Sequence, residues 1–254
     1  MSQEELRRAL EFYQDLGVAD VFPRQALRAD KADKAEEREA VLAAVPALEP
    51  AKPQPLELPP LAPEGDTLDR ILEDIGDCKR CRLCEKRNKI VFGSGNTSSK
   101  LVFVGEGPGA DEDAQGLPFI GRAGQLLTQM IENTASKEGI EIRRPDVYIC
   151  NVVKCRPPEN RTPQPDEMEI CGQFLFRQLM TIKPKAICAL GSTAAKALLN
   201  TKDGVTKLRG NWHKWHDIPV MVTYHPSYLL RPYNQNAKRE AWEDLKKALH
   251  FVYN

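Results

Sequence analysis

Seven cysteines stand in this chain of 254 residues, and their spacing is the first feature able to do chemistry. Cys78 and Cys81 form a Cys-x-x-Cys pair in a loop rich in lysine and arginine, Cys155 lies in the run KCRPP, and Cys171 follows in a stretch with helical periodicity. A close pair with two distant partners is a donor set for one tetrahedral zinc or for a cubane iron–sulfur cluster, and spacing does not separate the two. Cys84 extends the pair into a ferredoxin-like Cys-x-x-Cys-x-x-Cys, one thiol more than a four-ligand site needs. The loop sets these three thiols among Lys79, Arg80, Arg82, Glu85 and Lys86, so it has no core of its own and needs a staple. Cys150 and Cys188 sit in the apolar runs VYIC and AICAL and read as core residues. An odd thiol count in a chain that starts MSQEELRRAL, without an apolar signal core, argues against a disulfide framework.

Three further blocks carry reactive side chains. Gly105–Leu127 reads GEGPGADEDAQGLPFIGRAGQLL, Asn151–Glu167 reads NVVKCRPPENRTPQPDE, and His225–Arg231 reads HPSYLLR. In this order the blocks resemble the three motifs of the family 4 uracil-DNA glycosylases. The spacing of Cys78, Cys81, Cys155 and Cys171 resembles that family's four-iron ligand set, in which Cys84 is not required. The resemblance spans residues 67–250. It implies a central, mostly parallel four-stranded sheet flanked by helices in three layers. It also implies a [4Fe-4S] cluster and hydrolysis of the N-glycosidic bond of deoxyuridine in single- or double-stranded DNA. Uracil would be released and an abasic site left for base excision repair. The Lys/Arg/His insertion that marks the DNA cross-linking branch does not follow Lys154, so a monofunctional hydrolase is expected.

The residues themselves agree with that chemistry. An enzyme acting on a base must pull it from the stack, hold it, and stabilise the leaving group. Phe119, after Pro118 in a turn, can offer its ring face to uracil. Asn151, at a strand end, can accept from N3–H and donate to O4 once its amide is locked in one orientation. His225 can donate to O2 as negative charge develops there. Glu106, Gly107, Pro108 and Gly109 form a tight turn whose N–H groups can approach the base. Other glycosylase branches carry an aspartate where this chain has Gly107. Glu112 is then a candidate for positioning water or for excluding a 5-methyl group, and Glu106 is a second candidate for the water. Leu229 and Leu230 can wedge into the gap left by the flipped nucleotide. Ser227 and Arg231 can hold phosphates, and Lys154, Arg156 and Arg161 form a basic loop beside Cys155 that would face DNA.

The elements that must position these groups alternate. Strands are expected at 101–104, 147–153 and 186–190, with two more inside 205–224 around Asp217. Helices are expected at 66–75, 124–134, 166–182, 192–199 and 237–251. Such alternation builds an α/β fold with its ligand at the carboxyl ends of the strands. Residues 3–17 and 30–45 read as helices, and seven prolines between 46 and 63 read as an extended linker. A boundary near residue 65 separates an N-terminal arm, 1–65, from a glycosylase domain, 66–254.

Formal net charge is zero, but it is unevenly spread: residues 1–65 hold 13 acidic and 8 basic side chains, which leaves the remainder net positive. A mildly basic domain suits contact with phosphates, and the acidic arm does not. No apolar run is long enough to span a membrane. A cytoplasmic monomer at the nucleoid is expected, its N-terminal arm read first as a solvated tether and, as the alternative, as a docking segment (residues 1–45) for an unidentified protein. Two competitors are weaker. A dinucleotide-dependent redox enzyme would use Gly105-x-Gly107-x-Gly109, but the third spaced glycine is missing and Pro108 stands where a helix should begin. A non-catalytic iron–sulfur module that senses DNA damage would not need Phe119, Asn151 and His225 together.

Overall fold

The computed structural model describes residues 62–231 and 234–254. The helices expected at 3–17 and 30–45 and all but the end of the proline-rich linker lie outside the described residues.

The first element, α1 (Leu68–Ile75), starts where Thr67 accepts the Arg70 N–H, a cap that contributes about 1 kcal/mol. After the cysteine loop comes β1 (Ser94–Gly95), then β2 (Leu101–Gly105), α2 (Ala110–Gln115) and α3 (Arg122–Lys137). Next follow β3 (Tyr148–Asn151), α4 (Pro165–Ile182), β4 (Ala186–Leu190), α5 (Ser192–Leu199) and α6 (Val205–Leu208). The chain closes with β5 (Trp212–Trp215), β6 (Ile218–Thr223), α7 (Pro226–Leu229) and α8 (Gln235–Tyr253).

The strands form one sheet in the order β1-β3-β2-β4-β6-β5. The inner four, β3, β2, β4 and β6, run parallel, as expected. The sheet differs from the four-stranded expectation by two antiparallel edges. One is the two-residue β1; the other is β5, which pairs with β6 in a hairpin turning at His216 and Asp217. The segment 205–208, expected as strand, is a short helix instead.

Strands β2, β3 and β4 are buried at every residue because helices cover both faces of the sheet. Val102, Val104, Cys150 and Ile187 face one layer, packed with Phe174, Leu175 and Leu179 of α4. Leu101, Phe103, Ile149 and Cys188 face the other, packed with Leu127 and Ile131 of α3 and Leu245 and Leu249 of α8. Cys150 and Cys188 are thus core residues. The chain leaves β2 toward β3 on one side and then returns through α4 to β4 on the other. The crevice at this reversal, beyond the carboxyl ends of β2 and β4, is where such sheets bind ligands. No helix among the described residues is long and apolar enough to cross a membrane.

Candidate active site

A cavity of about 380 Å³ opens at those strand ends, large enough for a small ligand. Glu106, Gly107, Pro108, Glu112, Phe119, Asn151, His225, Ser227 and Leu230 all line it. Arg161 of the basic loop lines it too, and so do Asp111, Arg122 and Asn160, three residues of the motif blocks with no expected role.

Asn151 is the last residue of β3 and only 1% exposed. Its Oδ1 is buried without a hydrogen-bond partner among the described residues, a state that costs free energy until something donates to it. Phe119 has φ 53°, the left-handed region that a bulky side chain enters at a cost of about 1–2 kcal/mol. Three contacts hold it there. Arg144 donates through Nη2 to the Pro118 carbonyl at 2.7 Å. The N–H groups of Ile120 and Gly121 both donate to Glu112 Oε1 at 2.9 Å. The Phe119 ring lies 5.6 Å from the His225 ring, centroid to centroid. A Cβ at Gly105 would stand 2.4 Å from Asn151 Oδ1 and 2.5 Å from Phe119 Cζ, so only glycine lets the amide and the ring meet at the end of β2.

His225 follows β6 and caps α7. Its Nδ1 accepts the Ser227 N–H at 3.2 Å, which puts the ring's own proton on Nε2. Ser227 Oγ is 2.7 Å from the same Nδ1. Burial pushes the His225 pKa down to about 4, and the ring is neutral at physiological pH.

The two carboxylates differ. Glu112 is saturated by main chain, since Oε2 also accepts the Gly109 N–H at 3.1 Å. Glu106 accepts from the Thr193 hydroxyl through Oε2 alone, across the crevice from β2 to α5. A Cβ at Gly107 would meet Val153 Cγ2 at 2.7 Å, so a carboxylate-bearing residue does not fit there unless Val153 moves. Asp113 is fully buried and accepts from the Asn88 N–H and side-chain amide at 2.9 and 2.5 Å.

The expected DNA-facing groups are divided. Leu230 lines the cavity, whereas Leu229 is 1% exposed and packs with Ala237 and Ala241 of α8, so it anchors the loop and is not a wedge. Tyr228 is the exposed neighbour, with the Arg231 guanidinium 5.7 Å from its ring centre. Arg161 donates to both oxygens of the buried Glu167, at 2.9 and 2.7 Å. Arg156 pairs with Asn160 Oδ1 at 2.8 Å. Lys154, expected at the surface, is 1% exposed.

Below the basic loop, Cys78, Cys81, Cys84, Cys155 and Cys171 line one void with Arg87 and Lys154. Arg177 of α4 fastens α1 beside it, donating to Asp66 at 2.7 and 3.0 Å and to Asp74. Hydrogen bonding holds the Asp66 carboxyl below its usual range. Three thiols receive an N–H: Cys78 from Arg80 (3.8 Å), Cys155 from Arg87 (3.6 Å) and Cys171 from the Lys154 main chain (3.2 Å). Burial pushes the thiols of Cys155 and Cys171 up, to about 12 and about 11, so a cationic centre is needed to hold them as thiolates. No group of three or more His, Cys, Asp or Glu among the described residues is arranged to hold a single metal ion.

Residues that the sequence reading missed do much of the positioning. Glu167 has the Gln164–Glu167 spacing of a capping box, which was legible. Arg144 and Thr193 gave no local signal.

Residues 92–246 match the model of the uracil DNA glycosylase superfamily. A type-4 uracil-DNA glycosylase of Thermotoga maritima is 46% identical over 189 residues, covering 74% of this chain and 95% of that protein. The type-4 enzyme of Sulfurisphaera tokodaii is 42% identical over 190 residues, 72% of this chain and 83% of its own. That of Archaeoglobus fulgidus is 41% identical over 190 residues, 72% and 92% respectively. A cavity that gathers a ring, a carboxamide and an imidazole at the strand ends, in a chain this similar to those enzymes, identifies it as a member of the uracil-DNA glycosylase superfamily, in the type-4 family.

Proposed function

We propose that this chain excises uracil from DNA as a monofunctional N-glycosyl hydrolase. The observation that carries the reading is the unpartnered Oδ1 of Asn151, buried beside the Phe119 ring and opposite His225 in one cavity. Extruded uracil stacks on Phe119. Asn151 accepts from N3–H through Oδ1 and donates to O4 through Nδ2, a pattern that cytosine cannot satisfy. As the glycosidic bond lengthens, charge gathers on O2, and the Nε2–H of the neutral His225 donates to it. N–H groups of the Glu106–Gly109 turn add to that field. Glu106, with one oxygen free of protein donors, holds the water that attacks the sugar carbon. Glu112, saturated on both oxygens, has the steric role: it holds the Phe119 turn and walls off a 5-methyl group. Among the described residues no lysine lines the cavity, which supports simple hydrolysis over an amine-linked intermediate.

Cys78, Cys81, Cys155 and Cys171 would hold a [4Fe-4S] cluster. The donor set fits: four thiols line a common void, and three of them have an N–H aimed at the sulfur. When bound, the cluster supplies a cross-link between the cysteine loop, the 155–161 loop and α4, a structural part and not a redox one. Leu230 enters the gap in the duplex, and Arg231 and Arg156 contact phosphates. In this reading residues 66–254 are the catalytic domain and residues 1–65 a tether.

The test is incubation with a uracil-containing oligonucleotide, single- and double-stranded, followed by alkali. Scission at the uracil position is expected. Intact strands from both substrates, with folded protein that contains iron, would overturn the proposal.

A further inference from the structure

Lys154 is among the largest side chains that the fold buries completely, a rare place for lysine. Its partners are neutral. Nζ donates to the main-chain carbonyl of Asn151 at 2.8 Å and to Gln178 Oε1 at 2.6 Å. Gln178, fully buried on α4, passes the link on, donating through Nε2 to the Phe92 carbonyl at 3.0 Å and to the Tyr148 hydroxyl at 3.3 Å. The main chain of Lys154 is held as well: its carbonyl accepts the Val91 N–H at 2.8 Å.

The consequence falls on the peptide between Asn151 and Val152. Its N–H donates to the Gly105 carbonyl at 3.0 Å, continuing the β2–β3 ladder, and its carbonyl is the one Lys154 holds. A peptide pinned at both polar atoms fixes ψ of Asn151, and with it the direction of the Asn151 side chain. That direction matters because Oδ1 has no hydrogen-bond partner among the described residues to orient it.

We propose that Lys154 is a positioning residue, an internal strut that sets the Asn151 peptide and so aims the carboxamide that reads uracil. The inference rests on the assignment of Asn151 to the uracil pocket. Lys154 acts through hydrogen bonds in place of the contact with DNA that its position in a basic loop suggests. Gln178 holds the strut from its far end. Placement of reacting groups is steep in its effect, since a misplacement of about 1 Å costs on the order of 100-fold in rate.

A double-mutant cycle on the full-length, iron-containing protein separates positioning from general support. Single-turnover release of uracil is measured for wild type, Lys154→Met, Asn151→Ala and the double variant, with iron content and Tm recorded for each. Lys154→Met is expected to slow release about 10- to 100-fold with iron retained. In the Asn151→Ala background the same change should cost under about twofold, because the group it aims is gone. An equal loss in both backgrounds, or a wild-type rate for Lys154→Met, overturns the proposal. A wild-type rate for Asn151→Ala overturns the pocket assignment instead. Should Lys154→Met fail to fold, Gln178→Met carries the test: it should slow release severalfold, again only when Asn151 is present, and a wild-type rate refutes the strut.

Discussion

The cavity at the strand ends and the void among the thiols share one segment, Asn151–Cys155, yet they are built in opposite ways. The cavity hangs on the sheet. Gly105 and Asn151 end paired parallel strands, and His225 follows a third. The Phe119 turn is held by Arg144 and Glu112. The void lies outside the sheet, between a loop, a turn and one face of α4, and ion pairs such as Arg177–Asp66 tie its walls together. Polar groups in the cavity wait for a ligand, as the orphan Oδ1 does, while three sulfurs in the void already have N–H donors. Catalysis needs groups unpaired until the transition state arrives, and a structural centre needs its donors satisfied throughout. Damage to the cavity should therefore remove rate and spare stability, and damage to the void should do the reverse.

The largest test of that contrast is Asn151→Asp. A buried carboxylate accepts but cannot donate to O4, so uracil release should fall about 10²- to 10³-fold in single-turnover assays, with the iron content unchanged. A wild-type rate would take Asn151 out of the pocket. Cys171→Ala strikes the other region. Iron should be lost and Tm should drop by about 5 °C or more, because a ligand that binds only the folded state no longer supports it. Cys84→Ala, on the same void, should leave both unchanged; loss of iron there would redraw the ligand set.

Thr193→Val removes the hydroxyl donor to Glu106 and should slow the chemical step about tenfold with little change in KM. A change confined to KM would move Glu106 from the water to the binding of DNA. The smallest effect is on pH. With its pKa near 4, His225 stays neutral as pH rises, so kcat should vary less than about twofold between about pH 5 and 8 on its account. Its folded pKa lies below the ordinary 6.5, so the unfolded chain takes up the proton first. The stability that neutral His225 contributes is complete above about 6.5 and fades as pH falls toward 4. A limb in the rate near 6.5 would mean a solvated imidazole and a looser cavity than the one described.

Runs such as LVFV and AICAL, too short for helices and rich in β-branched or small apolar residues, read at once as buried parallel strands. The edge β1 did not, because Ser94 and Gly95 join the sheet through main-chain bonds and carry no apolar signal. The residues around the pocket were legible as types at positions: an amide at a strand end, a phenylalanine in a turn, a histidine after a strand. Their state was not. Leu229 and Leu230 are neighbours of one type, yet one is buried under α8 and the other faces the cavity. Lys154 and Arg156 flank the same cysteine, yet the lysine points inward to Gln178 and the arginine outward to Asn160.

By itself, then, the sequence determined the order of strands and helices, the apolar faces, and which side chains could read a base or ligate a metal. These depend on local periodicity and on the chemistry of each residue. Only the tertiary structure decided which of those groups meet, which are left unpaired and which are hidden. Burial and hydrogen bonding are set by segments far apart in the chain, such as Arg177 with Asp66 or Thr193 with Glu106, and no local pattern encodes those encounters.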